Sequence, residues 1–454
     1  MVKNIYSLIL VFIFVGCATI STQKKQFSII DKKVQEKDFK AANNLLLESK
    51  KKYYSKKDAV LFYLDLGLLY HYAKEYEKSN EMLTNAENLI DELYTQSISK
   101  SVMSFLLNDN ITDYEGEDYE NIYLNVFKAL NYIGLNQTDK AFVEVRKINE
   151  KLLLLESKYG KIADEYNSSD KKIKNIENKK LEFQNSALAR YMSFLLYKNE
   201  NDFDNANIDM QKIDEAFLQS KIYDFAKPNL ENIPKNNKVT FISFIGKSPE
   251  KFANEFILHS ENNTIFIYSS DGKNEKQIDA INWIGIENGL HIKFSLPYIK
   301  KKGTKINAIE IMIDKKSFGN FESIESIENV AYETYKLKEP IIYTKAIARS
   351  ITKAIANAAI NKELDKKIGD NALLKSLSHI ATGATIDATE NADMRISRYF
   401  PSRVLVKEIE LENGNHNVKI NYRDANGQII FKDNIGNVNI DKNSFNLFST
   451  FCLE

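Results

Sequence analysis

The fold of this chain is decided by residues 61–90, LFYLDLGLLYHYAKEYEKSNEMLTNAENLI. Gly67 would let one helix approach its partner, Tyr70 would fill the groove between them, and Ala86 would keep the second helix close. A step of nine residues from an aromatic to a small residue recurs along the chain, as Tyr70 to Ser79, Tyr132 to Ala141 and Tyr197 to Ala206. A repeated step of this kind indicates a stack of similar helix pairs, as in tetratricopeptide (TPR) repeats.

Helix pairs are predicted over four segments, at 27–52, 60–93, 118–150 and 184–219. They would form a TPR-like α-helical domain over 17–226, with a charged helical extension at about 151–183. Stacks of this kind bind other proteins on a concave surface, so a protein partner is the functional expectation. The alternative is a helical bundle with a purely architectural role.

Alternation of apolar and polar residues replaces the helical pattern in residues 227–454 and predicts strands. Asn413-Gly414 and Asn426-Gly427 stand between alternating runs and predict two hairpin turns. Helices are expected to interrupt the strands at about 321–389, as separate segments at 321–336 and 340–367, the second starting near Pro340. The predicted fold class is therefore α+β with several domains. The helical repeat domain would precede a mainly antiparallel, sandwich-like β-rich domain with inserted helices.

The amino terminus has the layout of a secretory signal that ends at a cysteine. Lys3 precedes an apolar run from Ile5 to Val15, about half the ~20 residues that a membrane-spanning helix needs. Gly16 and Cys17 follow, so residues 1–16 are predicted to be a lipoprotein signal peptide whose removal leaves Cys17 to carry acyl chains such as palmitate. We therefore expect an outer-membrane lipoprotein of the bacterial cell envelope that faces the periplasm. The alternatives are an uncleaved anchor or an ordinary exported protein.

The charge balance and the missing motifs bound the function. Lys plus Arg and Asp plus Glu each number 62, whereas a nucleic-acid-binding protein would show a basic excess, so nucleic acid is not an expected partner. The five histidines stand apart from one another, outside any zinc-ligand spacing. The sequence also lacks a nucleophile elbow and a phosphate-binding loop, so it predicts neither an enzyme nor a bound metal or cofactor. Neighbouring carboxylates such as Glu117 and Asp118 are expected to lie in solvent.

Arginine is concentrated just before a predicted strand, where Arg395, Arg398 and Arg403 fall within nine residues and Asp393 stands beside them. Because a guanidinium can contact an anion in a planar, bidentate manner, one interpretation is a site for a phosphate or carboxylate ligand. The other interpretation is a structural ion pair between Asp393 and Arg395 at the entrance to the sheet.

Two longer motifs resemble an uncharacterised family of bacterial TPR-like outer-membrane lipoproteins with a β-rich C-terminal domain. The first is YEGEDYENIYLNVFKALNYIGL at 114–135, followed by DKAFVEVRKIN at 139–149, and the second is ADMRISRYFPSRVLVKEIELENGNHNV at 392–418. In that family a lipidated helical domain precedes a β-rich domain; here Ser397 to Pro401 replaces the usual Trp followed by Leu-Pro. The resemblance implies residues to test and assigns them no roles, namely Tyr119, Glu120, Asn131, Tyr132, Glu144, Arg146, Asp393 and Arg395.

Together these features predict a membrane-anchored scaffold or assembly factor that holds another protein in the cell envelope. Acyl chains on Cys17 would supply the membrane contact, and the helical stack would supply the protein contact. The alternative is an envelope protein that binds a glycan, lipid or phosphate, or hydrolyses one, with the region of Asp393 and Arg395.

Overall fold

Helix pairs make up the first half of the described chain. The computed structural model describes residues 20–99, 109–168, 174–181, 185–219, 237–271, 273–284, 286–368, 391–441 and 444–454. The pairs are α1 Ile20–Gln35 with α2 Phe39–Glu48, α3 Ala59–Tyr72 with α4 Tyr76–Ser99, α5 Asp118–Gly134 with α6 Thr138–Asn167, and α7 Ala187–Asn199 with α8 Phe203–Gln219. Short helical turns also occur at Lys50–Tyr53, Lys56–Asp58 and Asp109–Ile111. The predicted helices are therefore present, while their assignment to the TPR class stays a prediction.

One turn geometry joins the two helices of each of these pairs. The turn residues with positive φ are Lys37, Lys74, Asn136 and Asn201, at 58°, 60°, 58° and 61°. The next backbone amide then donates to a carbonyl five residues back, as from Glu75 to Tyr70 at 2.9 Å and from Gln137 to Tyr132 at 2.8 Å. This is the Schellman arrangement, which satisfies carbonyls that a helix end leaves free. The nine-residue step in the sequence thus starts at a tyrosine whose carbonyl closes the turn.

The predicted helical extension at 151–183 is only partly correct. Helix α6 continues as far as Asn167, but residues 174–181 have no helical structure. The side chain of Asn167 is bonded to both backbone groups of Ile176, at 2.9 and 2.7 Å, and Glu156 accepts the amide of Leu181 at 2.6 Å. Because side chains of α6 bind its backbone, this segment lies along α6 as an extended strap.

Three four-stranded sheets form the second half of the described chain. The strands are β1 Asn237–Ile245, β2 Glu250–Glu261, β3 Thr264–Ser270, β4 Glu275–Asn282, β5 His291–Lys300, β6 Ala308–Ile313, β7 Lys316–Asn320, β8 Glu322–Glu325, β9 Arg403–Leu411, β10 Gly414–Arg423, β11 Ile429–Ile440 and β12 Leu447–Cys452. Sheet A has the order β12-β1-β9-β8, sheet B β4-β3-β2-β5 and sheet C β11-β10-β6-β7. Neighbouring strands in these sheets are antiparallel, except that β1 and β12 are parallel.

Sheet A is the middle layer of the molecule, buried on both faces. Ile242 and Phe244 of β1 belong to the apolar core formed with the helices. Phe241 and Ile245 of the same strand belong to a second core, shared with sheet C. Since successive side chains of a strand point to opposite faces, one strand supplies both cores. The near-continuous apolar run of residues 239–245 follows from this double burial.

The first of the two predicted hairpins is wrong and the second is correct. Strands β9 and β10 follow each other through Asn413-Gly414, yet β9 pairs with β1 and β8 while β10 pairs with β6 and β11. The chain therefore crosses from sheet A to sheet C at this turn. Strands β10 and β11 do form an antiparallel pair around Asn426-Gly427.

The two predicted helices at 321–336 and 340–367 are one helix, α9, which spans Ile327–Ile368. Residues 322–325 are instead strand β8, because they pair with β9. The hydroxyl of Ser326 accepts the amide of Asn329 at 3.2 Å and so marks the helix start. Pro340 lies inside the helix, which packs its apolar side chains against sheet B on one part and against the helical core on another. The rest of the predicted helical region, 369–389, lies outside the described residues.

We predict that the contact between α3 and α4 depends on Gly67. A Cβ atom there would lie 2.7 Å from Cδ2 of the buried Leu83, whereas one at Gly160 in α6 would meet nothing within 4 Å. Each Gly→Ala change should stabilise its helix by about 1 kcal/mol through helix propensity. The difference in stability between the two variants therefore measures the clash of the new Cβ with Leu83. Gly67→Ala should be less stable than Gly160→Ala by about 1–3 kcal/mol in urea unfolding. Equal stabilities would contradict the close approach.

Candidate functional site

The candidate site is the segment 391–402, which is seated between the helix pairs and strand β1. The segment has no regular secondary structure, yet Tyr399 and Phe400 have no exposed surface. Tyr72 of α3 donates to the carbonyl of Tyr399 at 2.7 Å, and the amide of Ser402 donates to the carbonyl of Ile245 at 2.9 Å. The second family-like motif thus joins the helices to the middle sheet.

Arg395 uses all five of its N–H donors within the protein. Its Nε and Nη2 bind the two carboxylate oxygens of Asp393, each at 2.9 Å. Its Nη1 reaches Asp58 Oδ1 at 3.2 Å and the carbonyl of Thr112 at 3.1 Å, and Nη2 also reaches the carbonyl of Asp109 at 2.6 Å. The guanidinium lies over the ring of Tyr114 as well, 5.2 Å from its centroid. This arginine therefore ties the segment to two stretches of the helical half, Asp58 and residues 109–114.

Asp65 of α3 is a buried carboxylate that receives the backbone of the segment. Its Oδ1 accepts the hydroxyl of Ser397 at 2.7 Å and the amide of Arg398 at 2.8 Å, while Oδ2 accepts the hydroxyl of Tyr54 at 2.7 Å. Burial raises the pKa of Asp65 to about 6, although these hydrogen bonds favour the ionised form. The guanidinium of Arg398 itself turns to Asp31 at 2.8 Å.

Glu120 of α5 is the second buried carboxylate at this seat. It accepts the amide of Ser397 at 2.6 Å, the hydroxyl of Tyr114 at 2.8 Å and the amide of Glu117 at 2.9 Å. Burial raises the pKa of Glu120 to about 7, and the nearby Glu117 carboxylate contributes in the same direction. The ring of Tyr119 contacts Phe400 with centroids 5.7 Å apart. The structure thus brings together Tyr119, Glu120, Asp393, Arg395 and Arg398, all singled out in the sequence.

The expectation that Glu117 and Asp118 lie in solvent is wrong. Both side chains are buried, at 5% and 7% exposure. Lys251 of β2 contacts Glu117 at 2.5 Å, and Lys158 of α6 contacts Asp118 at 2.9 Å. Their lysine partners stand 134 and 40 residues away, so the local sequence gives no sign of the pairing.

Glu144 lies in a separate charged cluster between α4, α5 and α6. It contacts Lys128 at 3.1 Å, and its Oε2 accepts a hydrogen bond from the side-chain amide of Asn125 at 2.6 Å. Glu87 lies opposite and contacts Lys128 at 2.7 Å and Lys151 at 2.8 Å. Burial alone would raise the pKa of Glu87, but the two ammonium groups hold it well below its usual range. Since opposite charges alternate here, the cluster is a compensated part of the helix packing.

The remaining predicted residues are dispersed. Asn131 is fully buried and donates to Ser79 and Asn80 at 2.8 and 2.9 Å, within the contact between α4 and α5. Tyr132 is half-buried, with the ammonium of Lys140 5.5 Å from its ring centroid. Arg146 is exposed on α6 and donates to the hydroxyl of Tyr197 at 3.2 Å. None of these three is described in contact with the seat of 391–402.

Two buried charged residues, Asp65 and Lys128, are not among those that the sequence motifs single out, although each has a visible signal in the sequence. Asp65 interrupts the apolar run LFYLDLGLL, and Lys128 interrupts NVFKALNYI. A charged residue within an apolar helical run has to be paired when the run is buried. The signal indicates that a partner exists, but which residue it is depends on the fold.

Comparison with known proteins finds no matching family model, no significantly similar curated protein and no significantly similar solved structure. Within the described ranges, no set of three His, Cys, Asp or Glu side chains is placed to hold a metal ion. A search of the same ranges finds no helix with the length and apolar character required to span a membrane. Cys17 and the apolar run that precedes it lie outside the described residues.

We predict that Glu120 makes the stability of the protein fall as the pH rises. Its carboxyl stays protonated to about pH 7 in the folded chain, against 4.5 in the unfolded chain, so the penalty develops between those values. From pH 4.5 to 8, wild type should lose about 3 kcal/mol relative to Glu120→Gln in chemical unfolding.

Glu36→Gln provides the sign control for that measurement. Its carboxylate is hydrogen-bonded by Lys33, which lowers the pKa of Glu36. The stability that it provides is present above pH 4.5 and is lost on acidification, opposite to Glu120. Parallel pH profiles for wild type and Glu120→Gln would contradict the first prediction.

We predict that Arg395 is required for stability. Arg395→Ala leaves the largely buried Asp393 and Asp58 without this partner, which should cost about 3–5 kcal/mol. Arg423→Ala is the matched control, because the Arg423 side chain is 32% exposed in its pair with Glu310 and should contribute about 0–1 kcal/mol. Urea unfolding of both variants provides the comparison, and equal losses would argue against a bracing role.

Proposed function

We propose that this chain is a lipid-anchored scaffold or assembly factor of the bacterial cell envelope, held in the outer membrane through Cys17 and facing the periplasm. In this proposal it binds a partner protein and carries out no catalysis. The proposal rests on the signal-like amino terminus and on the surface that the helix pairs leave uncovered.

The helix pairs present their outer surface, because their inner surface is filled by the chain itself. The rings of Phe127 of α5 and Phe244 of β1 are in contact, with centroids 5.3 Å apart. The hydroxyl of Tyr191 of α7 donates a hydrogen bond to Glu408 of β9 at 2.6 Å. A partner peptide could not occupy that inner surface without displacing sheet A. A partner protein that binds the helix pairs therefore has to contact their outer surface.

Helix α6 supplies the observation that carries the proposal. Leu153 and Leu154 are each 64% exposed, and Val143 is 52% exposed. Val143, Glu150 and Leu154 follow at steps of seven and four residues, so they share one face of the helix. Apolar side chains on an otherwise charged helix face supply the kind of anchor that a protein interface buries.

We also propose that the helix pairs are diverged TPR units and that sheets A and C form a sandwich. Gly67 against Leu83 and the shared Schellman turns support the first assignment. The single core between the two sheets supports the second.

The sequence-based alternative, a glycan, lipid or phosphate site or a hydrolase at Asp393 and Arg395, gains no support from the contacts of Arg395. Its five donors are engaged by protein oxygens, so an anion would have to displace Asp393 or Asp58. This alternative stays a prediction.

The test is in-cell photo-crosslinking from position 150, which is exposed one turn before Leu154. We expect one stoichiometric envelope protein on the wild-type chain and its loss in Leu153→Ser with Leu154→Ser. Both leucines are exposed, so the double variant should keep its stability to within about 1 kcal/mol. A palmitate analogue should label the wild type and leave Cys17→Ser unlabelled, and Cys17→Ser should lose the crosslink.

Ile284→Ser is the matched control, because Ile284 is 92% exposed and follows strand β4 of sheet B, so it is not part of the α6 face. It should retain the crosslink. A crosslink that survives the double leucine change would contradict the proposed surface, and a lipid label that survives Cys17→Ser would contradict the anchor.

A further inference from the structure

A cavity of about 370 Å³ lies between sheet B and helix α9, and no residue of the segment 391–402 lines it. Its walls come from strands β2, β4 and β5, from α9 around Pro340, and from Lys179 of the strap at 174–181. The volume falls in the range of pockets that bind small molecules. Several lining side chains, Asn254 and Glu339 among them, are exposed, so solvent reaches the cavity.

The walls are largely apolar and include four aromatic rings on facing elements, those of Phe256, Tyr298, Tyr335 and Tyr343. Two of them are fixed through their hydroxyls: Tyr335 donates to the carbonyl of Pro297, and Tyr343 donates to Asp279 at 3.2 Å. Phe256 stacks on Phe294 behind it, with centroids 5.4 Å apart. Because these contacts orient the rings without a ligand, the cavity offers preformed flat apolar surfaces.

The polar groups of the cavity are few and stand at its exposed edge. Two of the lining residues are charged, Lys179 and Glu339, and they pair with each other at 3.2 Å. The pair is exposed and cancels in charge, so it favours neither an anion nor a cation. The amide of Asn254 adds a neutral donor and acceptor.

From this arrangement we infer that the cavity binds a neutral sugar ring of a glycan. A pyranose presents C–H groups on its flat face and hydroxyls around its edge. The flat face matches the aromatic walls, and the edge hydroxyls match the amide, carboxylate and ammonium groups at the rim. This site is separate from the helix face proposed for the partner protein.

The test is calorimetric titration of the full chain with chitotriose and with maltotriose. We expect saturable binding of at least one of them, and the preference between them identifies the ring substituents that the site accepts. Tyr298→Ala removes a half-buried wall and should weaken binding about tenfold or more. Tyr332→Ala removes another half-buried tyrosine, on α9 but outside the cavity lining, and should leave affinity unchanged.

A parallel titration with choline chloride tests whether the aromatic walls instead bind a cation. Tighter binding of choline than of either trisaccharide would overturn the sugar assignment. So would the absence of saturable sugar binding by wild type, or binding that Tyr298→Ala and Tyr332→Ala reduce equally. Thermal unfolding of both variants shows whether a loss comes from misfolding, and Asn254→Ala, at an exposed edge position, is the replacement if Tyr298→Ala does not fold.

Discussion

Two buried carboxylates hold the halves of the described chain together. Asp65 of α3 and Glu120 of α5 both accept hydrogen bonds from Ser397, one from its hydroxyl and one from its backbone amide. A carboxylate enclosed among helices is costly unless donors surround it. The segment 391–402 supplies those donors, and its aromatic residues fill the space beside them. One irregular segment therefore supplies both the hydrogen bonds and the apolar packing that join the helix pairs to the middle sheet.

This closure decides which surfaces remain for other molecules. The inner faces of α3, α5 and α7 pack against sheet A. The charged clusters around Glu87 and Glu117 are neutralised by lysines of the protein itself. Among the surfaces that the described chain still presents are the outer face of α6 and the aromatic cavity beside α9. These two surfaces belong to different parts of the fold and differ in chemistry. One is a charged helix face that carries exposed apolar side chains, and the other is a preformed pocket with a neutral rim.

The sequence predicted the helices well because their signal is local: helical periodicity and turn residues lie within a few positions of each other. It did not predict which strands pair. Asn413-Gly414 looks like a hairpin turn, yet β9 is buried on both faces and takes β1 and β8 as neighbours, so the chain has to leave the sheet there. The same limit applies to the site. The cluster around Arg395 was visible, but its acceptors Asp58, Asp109 and Thr112 lie some 280 or more residues away, and only the fold brings them together.

The parallel pair of β1 and β12 has a consequence for biosynthesis. Thr240 is the neighbour of Leu447, so β1 waits for one of its two partners until nearly the whole of this sequence has been made. Until then a nascent chain carries helix pairs whose inner faces are bare, and long-range pairing of this kind is slow. A chaperone that shields apolar surface would have its longest task in this interval, between the emergence of the helices and the arrival of the last strand.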